Sequence, residues 1–376
     1  MADNPLLKLQ KYGQSIWLDF LRRGLITSGE LQRLIEEDGI RGVTSNPAIF
    51  EKAIAQTDDY EGAIAELAQQ GKRAQEIYET LTVEDIQSAT DLLRSLYDDS
   101  DGRNGFVSLE VDPHLARDAA GTIDEARLLW EKVDRPNLLI KVPATVEGLP
   151  AIQQLISEGI NVNVTLLFGL PRYRGVADAY ISGLEERVER GEPVDRIASV
   201  ASFFLSRIDV LVDPMLEAKM EGEGREAEIA GRLRGQVAIA SAKVAYQIYK
   251  DIFDDARFQR LRDHGARVQR LLWASTSTKN PEYSDVKYVE PLIGPKTVNT
   301  LPMRTIDAYR DHGDPEDRLE EGVDEAREVL ELLPEVGIDI DEVTAQLVDE
   351  GIEKFNNPFD ELMATLEAAV REHAAS

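Results

Sequence analysis

One lysine stands inside an apolar run. In Asn137-Leu-Leu-Ile-Lys-Val-Pro-Ala-Thr145, Lys141 is flanked by Leu138, Leu139, Ile140 and Val142. Such a run reads as a strand buried on both faces, as in a parallel sheet, and Pro143 ends it because proline cannot donate to the ladder. A lysine in that position is tethered to a charge, reaches solvent along its stem, or is chemically active. Desolvation disfavours an ammonium, and a neutral lysine amine can attack a carbonyl to form a Schiff base. Other polar residues fall in the later part of an apolar segment or just beyond it: Asp19, Asn46, Glu110, Asn163, Thr165, Ser202 and Ser275. Two carboxylates and a lysine among hydroxyls and amides make an acid/base and nucleophile set. Each has a structural alternative. Asp19 can cap a helix or join a salt bridge, and Glu110 can pair with Lys141 as a buried ion pair without any catalysis. Asn163 and Thr165, two apart on one strand face, can satisfy backbone groups. Arg207 and Lys279 follow later segments, where arginine suits a phosphate and a solvated cation is the plain reading.

The elements that must position these residues alternate. Candidate strands are Ser15–Phe20, Arg41–Pro47, Gly105–Val111, Asn137–Thr145, Asn161–Phe168, Ile197–Phe204, Arg270–Ser275 and Lys296–Pro302. Helical sequence separates each from the next, except before the last. That pattern predicts parallel strands with crossover helices, and eight strands close a (β/α)8 barrel. In a barrel the C-terminal strand ends carry the chemistry, which is where the polar residues fall. The pattern predicts a capping box at Thr27 and Glu30 for a helix over 31–37, a helix start at Thr82, and a helix capped by Thr122. Helices are also predicted over 316–333, 341–354 and 360–373. No linker or composition break divides the chain. One barrel domain over 1–376 is expected, with 304–376 a helical extension packed on it.

Composition narrows the function classes. The chain of 376 residues has 70 acids against 42 bases, a net charge of −28, and the bases are 29 Arg and only 13 Lys. Such a balance argues against gripping nucleic acid, which calls for a basic face. With no Cys, disulfides, thiolate metal sites and cysteine nucleophiles are excluded. The histidines His114, His264, His312 and His373 show no close ligand spacing, so no His-based metal site is expected. No run approaches the ~20 apolar residues of a membrane helix. The first residues lack a basic stretch followed by an apolar one, so a cytoplasmic protein is expected.

Taken together, these segments resemble the transaldolase family over nearly the whole chain. The motifs that carry the likeness are Trp17-Leu-Asp19, Gly42-Val-Thr-Ser-Asn-Pro-Ala48, Ser108-Leu-Glu-Val-Asp112, Leu139-Ile-Lys-Val-Pro-Ala-Thr145, Asn161-Val-Asn-Val-Thr-Leu-Leu-Phe168 and Ser202-Phe-Phe-Leu-Ser-Arg207. The C-terminal extension looks like the longer bacterial branch. The resemblance implies a (β/α)8 barrel and a cofactor-free, metal-free Schiff-base mechanism in the pentose phosphate pathway. It implies transfer of a dihydroxyacetone unit from sedoheptulose 7-phosphate to glyceraldehyde 3-phosphate. Lys141 would be the nucleophile and Asp19 the general acid/base. Glu110 would relay protons through a water positioned by Thr165. Asn46, Asn163 and Ser202 would bind the three-carbon unit, and Arg207 the phosphate. Fructose 6-phosphate aldolases of the same superfamily carry Gln where Glu110 stands and Tyr where Phe204 stands, so both positions favour transfer. A non-catalytic sugar-phosphate-binding barrel would need a broken active set, and no key position is broken. One segment departs from the family. Many transaldolases carry Ser-Phe-Arg after the seventh strand, and here the segment is Ser275-Thr-Ser-Thr-Lys279. Ser275 matches, the arginine does not, and Lys279 is the candidate substitute. Monomer and homodimer both fit the superfamily.

Overall fold

The computed structural model describes residues 4–374. Eight parallel strands form a closed barrel in sequence order, with the last pairing back to the first. They are β1 (Gln14–Asp19), β2 (Gly42–Thr44), β3 (Phe106–Glu110), β4 (Leu138–Pro143), β5 (Val162–Leu167), β6 (Ser199–Phe204), β7 (Arg270–Ala274) and β8 (Thr297–Leu301). The expected fold class therefore holds. Helices cover the outside, except that β7 and β8 are joined by a loop with one short 3-10 turn, Glu290–Leu292.

Register sorts the side chains into inward and outward rows. Paired residues of parallel neighbours share a face, and residues two apart share it again. Glu110 pairs with Lys141, and Lys141 with Asn163, so three polar residues predicted to act together stand side by side on β3, β4 and β5. Asp19 pairs with Thr44 one strand further round. Outward rows such as Val107, Ile140, Val162 and Leu271 are fully buried beneath the helices, which is why these strands read as continuous apolar runs. Beneath the polar layer the barrel is filled. Trp17 lies between β1 and β2 because Gly42 has no side chain; a Cβ there would stand 2.6 Å from the indole ring.

Several local expectations give way to tertiary context. Thr27 does not cap a helix; it ends the short helix Arg23–Thr27, and Gly29, left-handed at φ 81, leads into Glu30–Glu37. Thr82 lies inside Ala74–Leu92, with its hydroxyl donating to the Tyr78 carbonyl at 2.9 Å. A threonine can satisfy itself against the preceding turn, so it need not mark a start. The helix expected at Thr122 begins at Ala119 and is capped by Asp118, which accepts from the Gly121 amide at 3.0 Å. The helix expected from 316 starts at Val323.

The largest departure is at the C-terminus. Helices expected over 341–354 and 360–373 are one helix, Ile340–Ala374, running through Pro358. Proline removes one hydrogen bond and crowds the preceding turn. Burial of Leu347, Phe355, Phe359, Leu362 and Leu366 along one side of the helix offsets that. This side packs on the helices Pro47–Ala55 and Glu61–Gln69 and reaches β5. The Gly42→Ala variant is expected to lose about 1–3 kcal/mol of stability through overpacking against Trp17. Urea unfolding checks this; an unchanged midpoint would show that the barrel interior yields freely there.

Candidate active site

At the C-terminal end of the barrel the inward residues open into a cavity of about 400 Å³. Lys141 stands in its wall, 5% exposed, next to Glu110 at 6%. Lys141 Nζ lies 3.2 Å from Glu110 Oε2 and donates a hydrogen bond to the Ser45 carbonyl at 2.9 Å. Ser45 in turn donates to the Ser108 carbonyl at 2.7 Å, tying the loop after β2 to β3. Neither Glu110 oxygen has an aligned protein hydrogen bond, and neither has the buried Thr165 hydroxyl. Burial pushes the Glu110 carboxyl above its usual range, partly offset by the Lys141 and Arg207 cations. The ion pair weighed as a structural alternative is thus present, but it leaves acceptor capacity unused.

Asp19, last residue of β1, accepts from the Thr44 hydroxyl at 2.8 Å, and Thr44 Oγ1 is also 2.7 Å from Thr300 Oγ1. Burial raises the Asp19 pKa; Lys141, the Thr44 hydrogen bond, Lys279 and Arg207 pull it back. Both carboxyls therefore favour the protonated form more than free side chains do.

A polar chain crosses the floor. Ser202 Oγ donates to Asn163 Oδ1 at 2.6 Å, and Asn163 Nδ2 donates to Ser108 Oγ at 3.0 Å. Just beyond Thr165 the β5–β6 register shifts, and Leu166 takes a left-handed φ of 53. A bulge of this kind re-aims side chains beside functional sites. Asn46 has two tasks. Its side chain caps the helix Pro47–Ala55, accepting from the Ile49 amide at 3.0 Å, while the residue also lines the cavity.

Cations ring the mouth. The Arg207 guanidinium carbon lies 5.3 Å from the centre of the Phe204 ring and 5.8 Å from that of Phe355. Its Nη1 is buried without an acceptor. Lys279 donates to Ser277 Oγ at 2.7 Å, and burial lowers its pKa, helped by Arg304 and Arg207. Ser275, left-handed at φ 54, lies on the lining with its hydroxyl 2.9 Å from that of Ser206. All the residues singled out in the sequence reach this cavity wall except Glu110 and Asn163, which stand in direct contact with residues of it.

Lys52, Arg304 and Phe355 also line the cavity and were missed in the sequence. Arg304 follows β8, where barrel phosphate sites are often built, so its position was a usable signal. Lys52 reads as an ordinary helix-surface cation, and Phe355 comes from the C-terminal helix, whose placement no local pattern gives. That helix approaches closely because Gly351 faces Leu166 and Arg207; a Cβ there would sit 2.8 Å from Leu166 Cδ2. The Phe355 ring centre is 5.9 Å from Lys141 Nζ. Among the described residues no group of His, Asp and Glu is arranged to hold a metal ion. A cation–aromatic contact is worth about 0.5–2 kcal/mol, so the Phe355→Leu variant is expected to raise KM for a phosphorylated ketose by several-fold. Steady-state kinetics with fructose 6-phosphate checks this; an unchanged KM would leave Phe355 a packing residue only.

Residues 16–366 match the family model described as Transaldolase/Fructose-6-phosphate aldolase. The chain is similar to "Transaldolase 2" of Nostoc sp., with 50% identity over 99% of both chains. It is 50% identical to "Transaldolase" of Trichodesmium erythraeum, again over 99% of both. It is 46% identical to "Transaldolase" of Mycobacterium marinum over 98% of both.

Proposed function

This chain belongs to the transaldolase/fructose-6-phosphate aldolase family, and from that premise we propose that it is a transaldolase acting through a Schiff base on Lys141. One observation carries the assignment: a lysine amine held beside a carboxylate in the innermost polar layer, facing a cavity rimmed by cations. The donor is a ketose phosphate, sedoheptulose 7-phosphate or fructose 6-phosphate. The neutral Lys141 amine adds to its C2 carbonyl, and the carbinolamine loses water to give an iminium. Glu110 relays the protons of both steps through a water bonded between its carboxylate and the Thr165 hydroxyl. Those two buried groups have the acceptor and donor capacity such a water needs. Asp19 then removes the proton from the C4 hydroxyl. The C3–C4 bond breaks, its electron pair flows into the iminium to form an enamine, and the aldose phosphate leaves. The acceptor aldose phosphate enters, glyceraldehyde 3-phosphate after a sedoheptulose 7-phosphate donor or erythrose 4-phosphate after fructose 6-phosphate; the enamine carbon attacks its aldehyde, and Asp19 returns the proton. Hydrolysis of the new iminium frees Lys141.

The iminium is itself the electron sink, so the chain of steps calls on no cofactor or metal. Asn46, Asn163 and Ser202 hold the hydroxyls of the three-carbon unit. The Ser202–Asn163–Ser108 chain keeps the Asn163 amide in one orientation. Arg207 takes the phosphate, with Lys279, Lys52 and Arg304 around it; Ser275 braces Ser206 beside Arg207. The Phe204 ring offers no hydroxyl to a water, which protects the enamine until the acceptor arrives. The reaction's charged substrates support a cytoplasmic location. No helix among the described residues is long and apolar enough to cross a membrane.

Fructose 6-phosphate with and without erythrose 4-phosphate tests the assignment. A transaldolase consumes donor only with the acceptor present, forming sedoheptulose 7-phosphate. Release of free dihydroxyacetone at the same rate without acceptor would make this an aldolase instead. Asp19 must be ionised to accept the C4 proton, so kcat/KM falls as pH drops through its raised pKa. The Thr44 hydrogen bond favours the ionised carboxylate, so Thr44→Val is expected to lift the Asp19 pKa further. The acid limb of the pH profile then moves to higher pH; a limb that stays in place would show that another group sets it.

A further inference from the structure

At the opposite, N-terminal end of the barrel lies a second cavity of about 560 Å³. Five cations line it: Arg41, Arg103, Arg267, Arg270 and Lys296. No Asp or Glu does, although the chain as a whole carries a net charge of −28. Its floor is apolar, made by the inward residues Phe106, Leu139 and Val200.

The cations are held mainly by neutral groups. Arg270 donates to the Ser15 hydroxyl at 3.1 Å and the Arg103 carbonyl at 2.7 Å. Burial lowers its pKa to about 10. Arg41 donates to the carbonyls of Ile35 and Ile40 and to Gln10 Oε1. Among the described residues Arg267 alone of the five has a carboxylate partner, Asp101 at 3.3 Å, and Asp101 is shared with Arg196 at 3.0 Å. Elsewhere this chain pairs its arginines with acids freely, as in Arg310 with Asp38 and Arg257 with Glu185. Here four of the five cations have no such acid among the described residues. Like charges gathered in a concavity with low-dielectric walls repel one another and draw in counter-ions.

We propose that this basal cavity is a second binding site, separate from the mouth, for a small organic phosphate carrying at least two negative charges. Arginine forks match phosphate oxygens in pairs, and four of the five cations are arginines. The apolar floor receives the uncharged part of the ligand. The volume falls in the ~300–1,000 Å³ range of small-molecule pockets. The filled middle of the barrel, with Trp17, Asn163 and Leu272 all buried, separates this cavity from the mouth, so the two sites fill independently.

Inorganic pyrophosphate is the probe, titrated calorimetrically into the full chain. Arg207→Ala removes its hold at the mouth, and saturating fructose 6-phosphate occupies that site. Arg103→Gln/Lys296→Gln alters only the basal cavity, at two side chains that make no ion pair among the described residues. The Arg207→Ala protein is expected to bind one pyrophosphate per chain, undisplaced by fructose 6-phosphate, in about 0.15 M KCl. The double variant is expected to bind there about tenfold or more weakly while its KM for fructose 6-phosphate stays unchanged. The proposal is overturned if the Arg207→Ala protein binds no pyrophosphate, if fructose 6-phosphate displaces it, if the salt abolishes it, or if the double variant binds as well as its parent. A circular dichroism melt matching the wild type confirms that the double variant is folded.

Discussion

The contact on which the site depends is the buried approach of Lys141 to Glu110, 3.2 Å apart and almost out of solvent. Bringing two opposite charges into a barrel interior costs several kcal/mol per ion before their attraction is counted. That cost is met only because neighbouring groups are fixed. The Ser45 carbonyl accepts from Lys141, and the pairing of β3 with β4 puts the two residues side by side. Removing one partner leaves the other charge uncompensated, a loss of about 3–5 kcal/mol. The pairing therefore fixes the amine and the carboxyl at one place in the barrel interior.

Closure of the barrel turns this local contact into a site. Paired strands carry Glu110, Lys141 and Asn163 to one level, and closure brings Asp19 to the same space from β1. Trp17 and its neighbours fill the layer below, so reacting groups rest on a rigid floor. The C-terminal helix adds what strands cannot supply: Phe355 faces both Lys141 and Arg207, narrowing the mouth with an apolar wall. Desolvation by that wall strengthens every charge interaction within. The cations Lys52, Arg207, Lys279 and Arg304 line the same cavity.

Much of this was legible in the sequence because it rests on local rules. The Lys141 segment stood out as an apolar run buried on both faces, the other strands stood out by their alternation with helical sequence, and the polar residues at their ends stood out by contrast. Glu110, Lys141 and Asn163 could be grouped from strand position alone. The missed parts were non-local. Thr82 has the residue type of a helix start but bonds back to Tyr78, a choice set by the packing of its helix. Pro358 signals a break, yet the helix continues because its buried side packs on two others. Phe355 and Lys52 reach the mouth through that packing and carry no motif. The left-handed Leu166 is required by the bulge beside Thr165 and has no glycine to announce it.

On the proposed mechanism Lys141 forms a covalent imine with a ketose phosphate. Borohydride reduction of the protein in the presence of fructose 6-phosphate, followed by peptide mass spectrometry, reads that bond directly. A reduced dihydroxyacetone adduct is expected on the peptide containing Lys141 and on no other lysine. An unmodified Lys141 peptide, or an adduct elsewhere in the chain, would contradict it.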